Sequence, residues 1–277
     1  MTTGIHRIGI LVLCLLAFSH PADAAGSHDA VPASNESASS FPPNAPPANS
    51  VHAPQPGVAT GAKRAAFARI GASRDAHHIA DWVVDSGDNA GLPFVIVDKT
   101  DAKVFLFDAS GRIQGAAPAL LGLARGDSAV PGIGDREYAD IPPKDRTTPA
   151  GRFVASLGRS TRGEDVLWVD YEGAVSLHRV VTNKPRDRRL ERLATPTPLD
   201  NRISYGCINV PVRFYEDVIS PAFKDTAGIV YVLPDTRPVR EVFGSYDVDE
   251  RVRNRNVVRA PRIAPAPGTV SSGTSSR

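Results

Sequence analysis

From Gly26 to Gly61 the chain runs through Pro, Ala, Ser and Asn with scarcely a large apolar residue. A stretch of that composition cannot bury a core, so residues 25–61 are expected to form an extended tether. The far end is similar: 237–277 carries Arg251, Arg253, Arg255, Arg259 and Arg262, then Pro, Gly and Ser, and reads as a flexible basic tail. Such a tail is either a solvated terminus or a patch for an anionic polymer. Ahead of the tether, Arg7, an apolar run from Ile8 to Phe18 and the small-residue site Ala22-Asp23-Ala24 form a secretory leader over residues 1–24. The run is shorter than the roughly 20 residues a spanning helix needs. Cleavage near Ala24 follows, with an uncleaved anchor as the alternative, and the protein is expected in the periplasm or cell envelope.

Between the two ends lies one domain of ordinary size. Residues 62–90 form a helical lead-in: Phe67, Ile70, Ile79, Trp82 and Val83 approximate a stripe on a helix from Ala62 to Val84, interrupted at Gly71. Residues 91–236 are rich in short β-like runs. Pro93–Val97 and Val104–Phe107 read as a hairpin across a polar Lys-Thr-Asp turn. Further strands are expected over Arg152–Leu157, Val166–Asp170, Ala174–His178 and Ile229–Leu233, and a helix near Pro211. The class that results is mainly β with one or two packed helices. The formal net charge of +2 leaves no footprint for a nucleic acid.

The chain has two cysteines, and Cys14 belongs to the leader, so Cys207 is left without a disulfide partner. Of seven histidines, two fall in the leader, two in the tether and two (His77, His78) on the lead-in helix. Only His178 lies in the β-rich region. A thiol nucleophile needs a base to supply the thiolate, and here one thiol and one imidazole remain. With period 2, Val175 and Leu177 share one strand face while Ser176 and His178 share the other. Cys207 precedes the Pro211 helix, whose N-terminus would favour a thiolate, and the N–H groups of Gly206 and Cys207 would form an oxyanion hole. One Cys and one His are too few for a zinc site, so no metal is expected. The bland alternatives are an inert buried cysteine and a structural histidine.

Ser204-Tyr205-Gly206-Cys207-Ile208-Asn209, with His178 upstream and Thr148-Pro149-Ala150-Gly151-Arg152-Phe153 earlier, resembles the signature of the L,D-transpeptidases of the YkuD type. The resemblance extends over residues 93–234 and implies that family's β-sandwich-like fold. It also implies a cysteine acyltransferase with Cys207 as nucleophile and His178 as general base and later acid, oriented by the backbone carbonyl of Arg179. Ser204, Gly206 and Asn209 match pocket positions, and Arg202 and Arg146 are basic residues near the motif segments, read either as partners for a substrate carboxylate or as solvated surface arginines. Peptidoglycan tetrapeptide stems would be the donor. The acceptor would be another stem, an envelope protein, a D-amino acid or water, and no cofactor is implied. Two departures stand out. Tyr205 replaces the usual His before the Gly-Cys pair, and a basic segment, Lys184–Arg192, lengthens the interval between His178 and Cys207. That segment reads as a rim loop or as a plain solvated one. Sortases share the His-then-Cys order, but the Pro-initiated helix after Cys207 argues against them. A non-catalytic wall-binding module is the rival from another class.

Overall fold

Phe94–Asp98 (β1) and Lys103–Phe107 (β2) pair antiparallel, with Phe94 opposite Phe107 and Asp98 opposite Lys103. The turn is closed by Asp98, whose Oδ1 accepts the N–H groups of Thr100 at 3.0 Å and Asp101 at 3.1 Å. The computed structural model describes residues 61–259. The leader, nearly all of the tether and the last residues of the tail lie outside the described residues.

The remaining strands are Ile113–Pro118 (β3), Leu121–Gly122 (β4), Gly151–Arg159 (β5), Asp165–Asp170 (β6), Val175–Arg179 (β7), Arg202–Ser204 (β8), Ile208–Val210 (β9) and Gly228–Val232 (β10). Eight of the ten join in one mixed sheet in the order β3-β2-β1-β10-β5-β6-β7-β9, and β4 pairs with β8 separately. The fold is thus mainly β. Strand β5 turns the sheet on itself. Its first half, Gly151–Ala155, pairs with β10, while Ser156–Arg159 pairs with β6. One core therefore takes side chains from both halves: Val95, Val97, Val104, Leu106, Val230 and Val232 from one, Leu167, Leu177, Ile208 and Val210 from the other.

The opposite face of the first half is also covered. Phe94, Ile96, Phe105, Phe107, Ile229 and Tyr231 pack under Ala76, Ile79, Ala80 and Val83 of the helix Arg74–Ser86 (α1). That is why β1 and β10 are buried throughout rather than alternating. Each fully buried large side chain here contributes about 1.5–3 kcal/mol.

Helix α1 is shorter than its sequence stripe. Ser73 caps it, its side chain accepting the Ala76 N–H at 3.1 Å, and Gly87 ends it in a left-handed conformation. Upstream, Ala66 bridges to the strand edge, donating to Gly111 O at 2.8 Å and accepting from Ile113 N at 3.0 Å. Residues 62–72 are therefore not helical: Ala66 is bridged to the strand edge, and Ala68 and Arg69 form a turn in which Ile70 N donates to Phe67 O at 3.0 Å.

Further helices are Arg189–Ala194 (α2), Val212–Phe214 (α3), Ser220–Ala222 (α4), Val239–Phe243 (α5) and Val248–Arg259 (α6), with a π-helical turn, Tyr215–Ile219, joining α3 to α4. The last two helices correct the expectation of a flexible tail from residue 237. Arg251 Nη2 lies 2.5 Å from Asp85 Oδ1, Tyr246 Oη donates to Asp85 Oδ2 at 2.8 Å, and Ser245 Oγ meets His78 Nε2 at 3.0 Å. Arg251, which looked like solvated charge, finds a carboxylate on α1, while Arg253 and Arg255 stay exposed. Arg251→Ala is expected to remove about 1.5–3 kcal/mol of local docking energy, because it takes a cation from a carboxylate that is only 2% exposed. Hydrogen exchange should then quicken in α6 and stay unchanged in β1 and β10. Equal protection in both variants would show that the pair does not hold α6.

Candidate active site

The parallel pairing of β7 with β9 sets Leu177 opposite Ile208 and His178 opposite Asn209. Cys207, one residue before β9, therefore lies alongside Ser176. Alternation puts Ser176, His178, Cys207 and Asn209 on one face, while Leu177 and Ile208 enter the core.

His178 Nδ1 lies 2.7 Å from the carbonyl oxygen of Arg179. A carbonyl only accepts, so Nδ1 carries hydrogen and Nε2 is the nitrogen left for chemistry. Burial alone would push the imidazole down. Hydrogen bonding to Cys207 and the charge of its sulfur outweigh this and hold His178 above its ordinary value. The converse holds for Cys207: burial works to raise the thiol, but His178, with help from Ser176, holds it below the ordinary range. The sulfur also lies 3.6 Å from Ser176 Oγ, which donates to it, and 3.5 Å from the Ala174 carbonyl, which accepts from the neutral thiol.

The turn before β9 is tightly tied. Ser204 Oγ donates to Cys207 O at 2.6 Å and accepts from Gly206 N at 3.1 Å, and Asn209 Nδ2 reaches Cys207 O at 3.3 Å. Gly206 has φ of +137°, and a Cβ there would lie 2.9 Å from the Thr147 carbonyl oxygen. The close approach that requires glycine is thus made by the chain's own backbone. Two sequence expectations change here. The Gly206 N–H is committed to Ser204, so it is no oxyanion donor, whereas the Cys207 N–H makes no hydrogen bond among the described residues. Strand β9 also separates Cys207 from α3, placing roughly 10 Å of extended chain between the sulfur and that helix. The thiol's lowered value comes from His178 and Ser176, not from a helix dipole.

The two arginines divide. Arg202 is bonded by both terminal nitrogens to Asp235, at 2.6 and 3.1 Å, and to Lys99 O at 2.9 Å, with its side chain 9% exposed. It is neutralised inside the fold and not free for a substrate carboxylate, which corrects that expectation. Arg146 lies at the rim, its guanidinium 4.0 Å from the centre of the Tyr205 ring and its Nε donating to Ile141 O at 2.9 Å. Tyr138 packs against Tyr205 as a tilted pair, ring centres 5.1 Å apart. Burial and then the negative charge of Cys207 raise the Tyr138 phenol, so this ring belongs to the surroundings of the sulfur. Tyr205 thus anchors the segment Ile133–Asp145, which carries three single-turn 3-10 helices.

Reading the sequence missed three members of the site. Ser176 carried a signal, since it shares the face of His178. Thr148 lay inside a quoted motif; its Oγ1 donates to Gly206 O at 2.8 Å. Arg189 had no signal beyond a basic run, yet its Nη1 donates to Asn209 Oδ1 at 3.0 Å and its Nε to Asp187 at 3.2 Å. The basic segment is folded against the site, with Leu193 of α2 buried beside Leu120 and Val180.

The sequence matches no known family profile and none of the curated proteins. Solved structures do match. The helical cell shape determining protein Pgp2 from Campylobacter jejuni is 16% identical with a TM-score of 0.35, covering 58% of this chain and 52% of its own. An L,D-transpeptidase from Mycobacterium tuberculosis is 15% identical with a TM-score of 0.31, covering 50% and 57%. The catalytic domain of an E. faecium L,D-transpeptidase is 17% identical with a TM-score of 0.28, covering 50% and 95%. The match spans about half the length of the first of these. At such scores the likeness carries no functional argument.

Proposed function

We propose that the chain is an exported cysteine acyltransferase, an L,D-transpeptidase acting on peptidoglycan stem peptides. The observation that carries the reading is the juxtaposition of His178 and Cys207 on neighbouring parallel strands, with imidazole held above and thiol below their ordinary values. Both directions favour the thiolate–imidazolium pair that a thiol nucleophile uses near neutral pH. The Cys207 sulfur attacks the carbonyl joining the L-centre of a diaminopimelate-type residue to the terminal D-alanine. The Cys207 N–H supports the oxyanion. The C–N bond breaks as His178 gives its proton to the leaving amine, and the acyl group stays on sulfur as a thioester. An incoming amine, deprotonated by His178, then forms the new amide and releases the thiolate. An amine of another stem gives a cross-link, one on an envelope protein gives anchoring, and water gives a shortened stem. Every step uses groups of the chain itself.

Residues 91–236 form the catalytic domain in this reading, 62–90 its lead-in, and α6 a buttress on α1. Export rests on the leader at residues 1–24; among the described residues no helix is long and apolar enough to cross a membrane. The test is to incubate the protein with tetrapeptide muropeptides and weigh the products, alongside Cys207→Ala. The expected result is loss of D-alanine and appearance of cross-linked dimers, both abolished in the variant, with a carbapenem adding its mass at Cys207. Shortened stems without dimers would assign water as acceptor. Loss of D-alanine that survives Cys207→Ala would defeat the mechanism, and no reaction or adduct at all would leave the wall-binding module.

A further inference from the structure

We infer that Thr148, held by the buried ammonium of Lys99, is a positioning residue that aims the Cys207 N–H at the reacting carbonyl. This rests on the acyl-transfer reading above. Lys99 occupies the β1–β2 turn, where its sequence context suggests solvent, yet its side chain is fully buried. Its Nζ donates to Gly126 O at 2.6 Å, Thr148 O at 2.9 Å and Asp127 Oδ1 at 3.1 Å. Those three bonds use all three ammonium hydrogens, so Lys99 has none left for chemistry. What it does is fix the backbone of Thr148.

Thr148 is itself fully buried, and its hydroxyl has one orientation available. Oγ1 accepts from Gly122 N at 2.9 Å, which leaves its hydrogen for Gly206 O at 2.8 Å. The carbonyl of Gly206 and the N–H of Cys207 belong to the same planar peptide and point from opposite edges of it. Holding the oxygen toward Thr148 therefore turns the Cys207 N–H away from Thr148, where it has no partner among the described residues. The Thr147 carbonyl against Gly206 leaves that peptide little room to rotate. Thr148 touches neither the sulfur nor the substrate and acts through the peptide of Gly206.

The test compares two reactions at Cys207 in the full chain. Acylation by p-nitrophenyl acetate forms an S–acyl bond and expels p-nitrophenolate through a tetrahedral oxyanion. Alkylation by iodoacetamide forms an S–C bond and expels iodide with no oxyanion. Misaiming one oxyanion donor is expected to slow acylation by Thr148→Val about 10- to 100-fold while alkylation changes by less than about twofold. Thr148→Ser, which keeps the hydroxyl, should retain both rates. If Thr148→Val does not fold, Thr148→Ala reads the same ratio. Equal losses in both reactions, or unchanged acylation, would overturn the positioning role. Absence of Cys207-dependent acylation in the unaltered chain would instead remove the acyl-transfer reading on which it stands.

Discussion

His178→Ala is expected to cut D-alanine release from stem peptides by about 10²–10⁴-fold and to move the pH midpoint of Cys207 alkylation upward. Both effects come from one balance. Burial of the sulfur favours the neutral thiol, and His178 reverses that preference. Without the imidazole the burial remains uncompensated, so the midpoint should reach or pass the ordinary thiol value of about 8.5. The sign for the intact pair follows from the two directions. A lowered thiol keeps its thiolate at pH values below 8.5, and a raised imidazole keeps its proton above about 6.5. Both shifts favour the thiolate–imidazolium pair over the neutral pair. Turnover should fall at low pH as the sulfur is protonated and at high pH as His178 loses the proton the leaving amine requires. Arg179 contributes through its carbonyl, so Arg179→Ala should leave the midpoint nearly in place. An alkylation midpoint unmoved by His178→Ala would mean that something else ionises the thiol.

The pairing of Cys207 with His178 was legible because elimination is a counting argument and strand alternation is a local rule. Both survive without knowledge of the tertiary fold. The hairpin and the later strands were legible for the same reason. The errors lie where a charged residue finds a distant partner. Lys99 reads as a polar turn residue, and only the approach of Asp127, Thr148 and Asp235 makes it a buried one. Arg202 reads as a free cation until Asp235 is placed against it. Arg251 reads as part of a solvated tail until Asp85 is found on α1. In each case the partner lies tens of residues or more away, and neither composition nor periodicity encodes it. The oxyanion donor failed for a smaller reason: Ser204 Oγ takes the Gly206 N–H, a local bond that a motif does not announce.

Asp127→Ala should be strongly destabilising, costing about 3–5 kcal/mol. The side chain is 3% exposed. Its carboxylate accepts from Asp235 N at 2.5 Å, Thr236 N at 3.0 Å, Thr236 Oγ1 at 2.6 Å, Arg237 N at 2.9 Å and Lys99 Nζ at 3.1 Å. Burial opposes its charge, but the Thr236 hydroxyl, the backbone donors and the Lys99 ammonium together hold the carboxyl far below the usual carboxylate range. Truncation leaves those donors unmet and Lys99 with less compensation for its burial. Since a domain of this kind holds roughly 5–15 kcal/mol in all, the variant should lose a large part of it. The folded value is depressed, so the stability Asp127 contributes is present above the unfolded carboxyl value of about 4 and is lost as pH falls below that. Urea unfolding of Asp127→Asn, which keeps the shape but not the charge, separates the two contributions. The Asn variant should lie between wild type and Ala at pH 7, and its stability should fall less steeply below pH 4. The same loosening frees Thr148 from one side, so acylation of Cys207 should drop in the Asn variant even where it stays folded. An Asn variant as stable as wild type, with the same acid slope and acylation rate, would show that the carboxylate's charge contributes to neither stability nor the site.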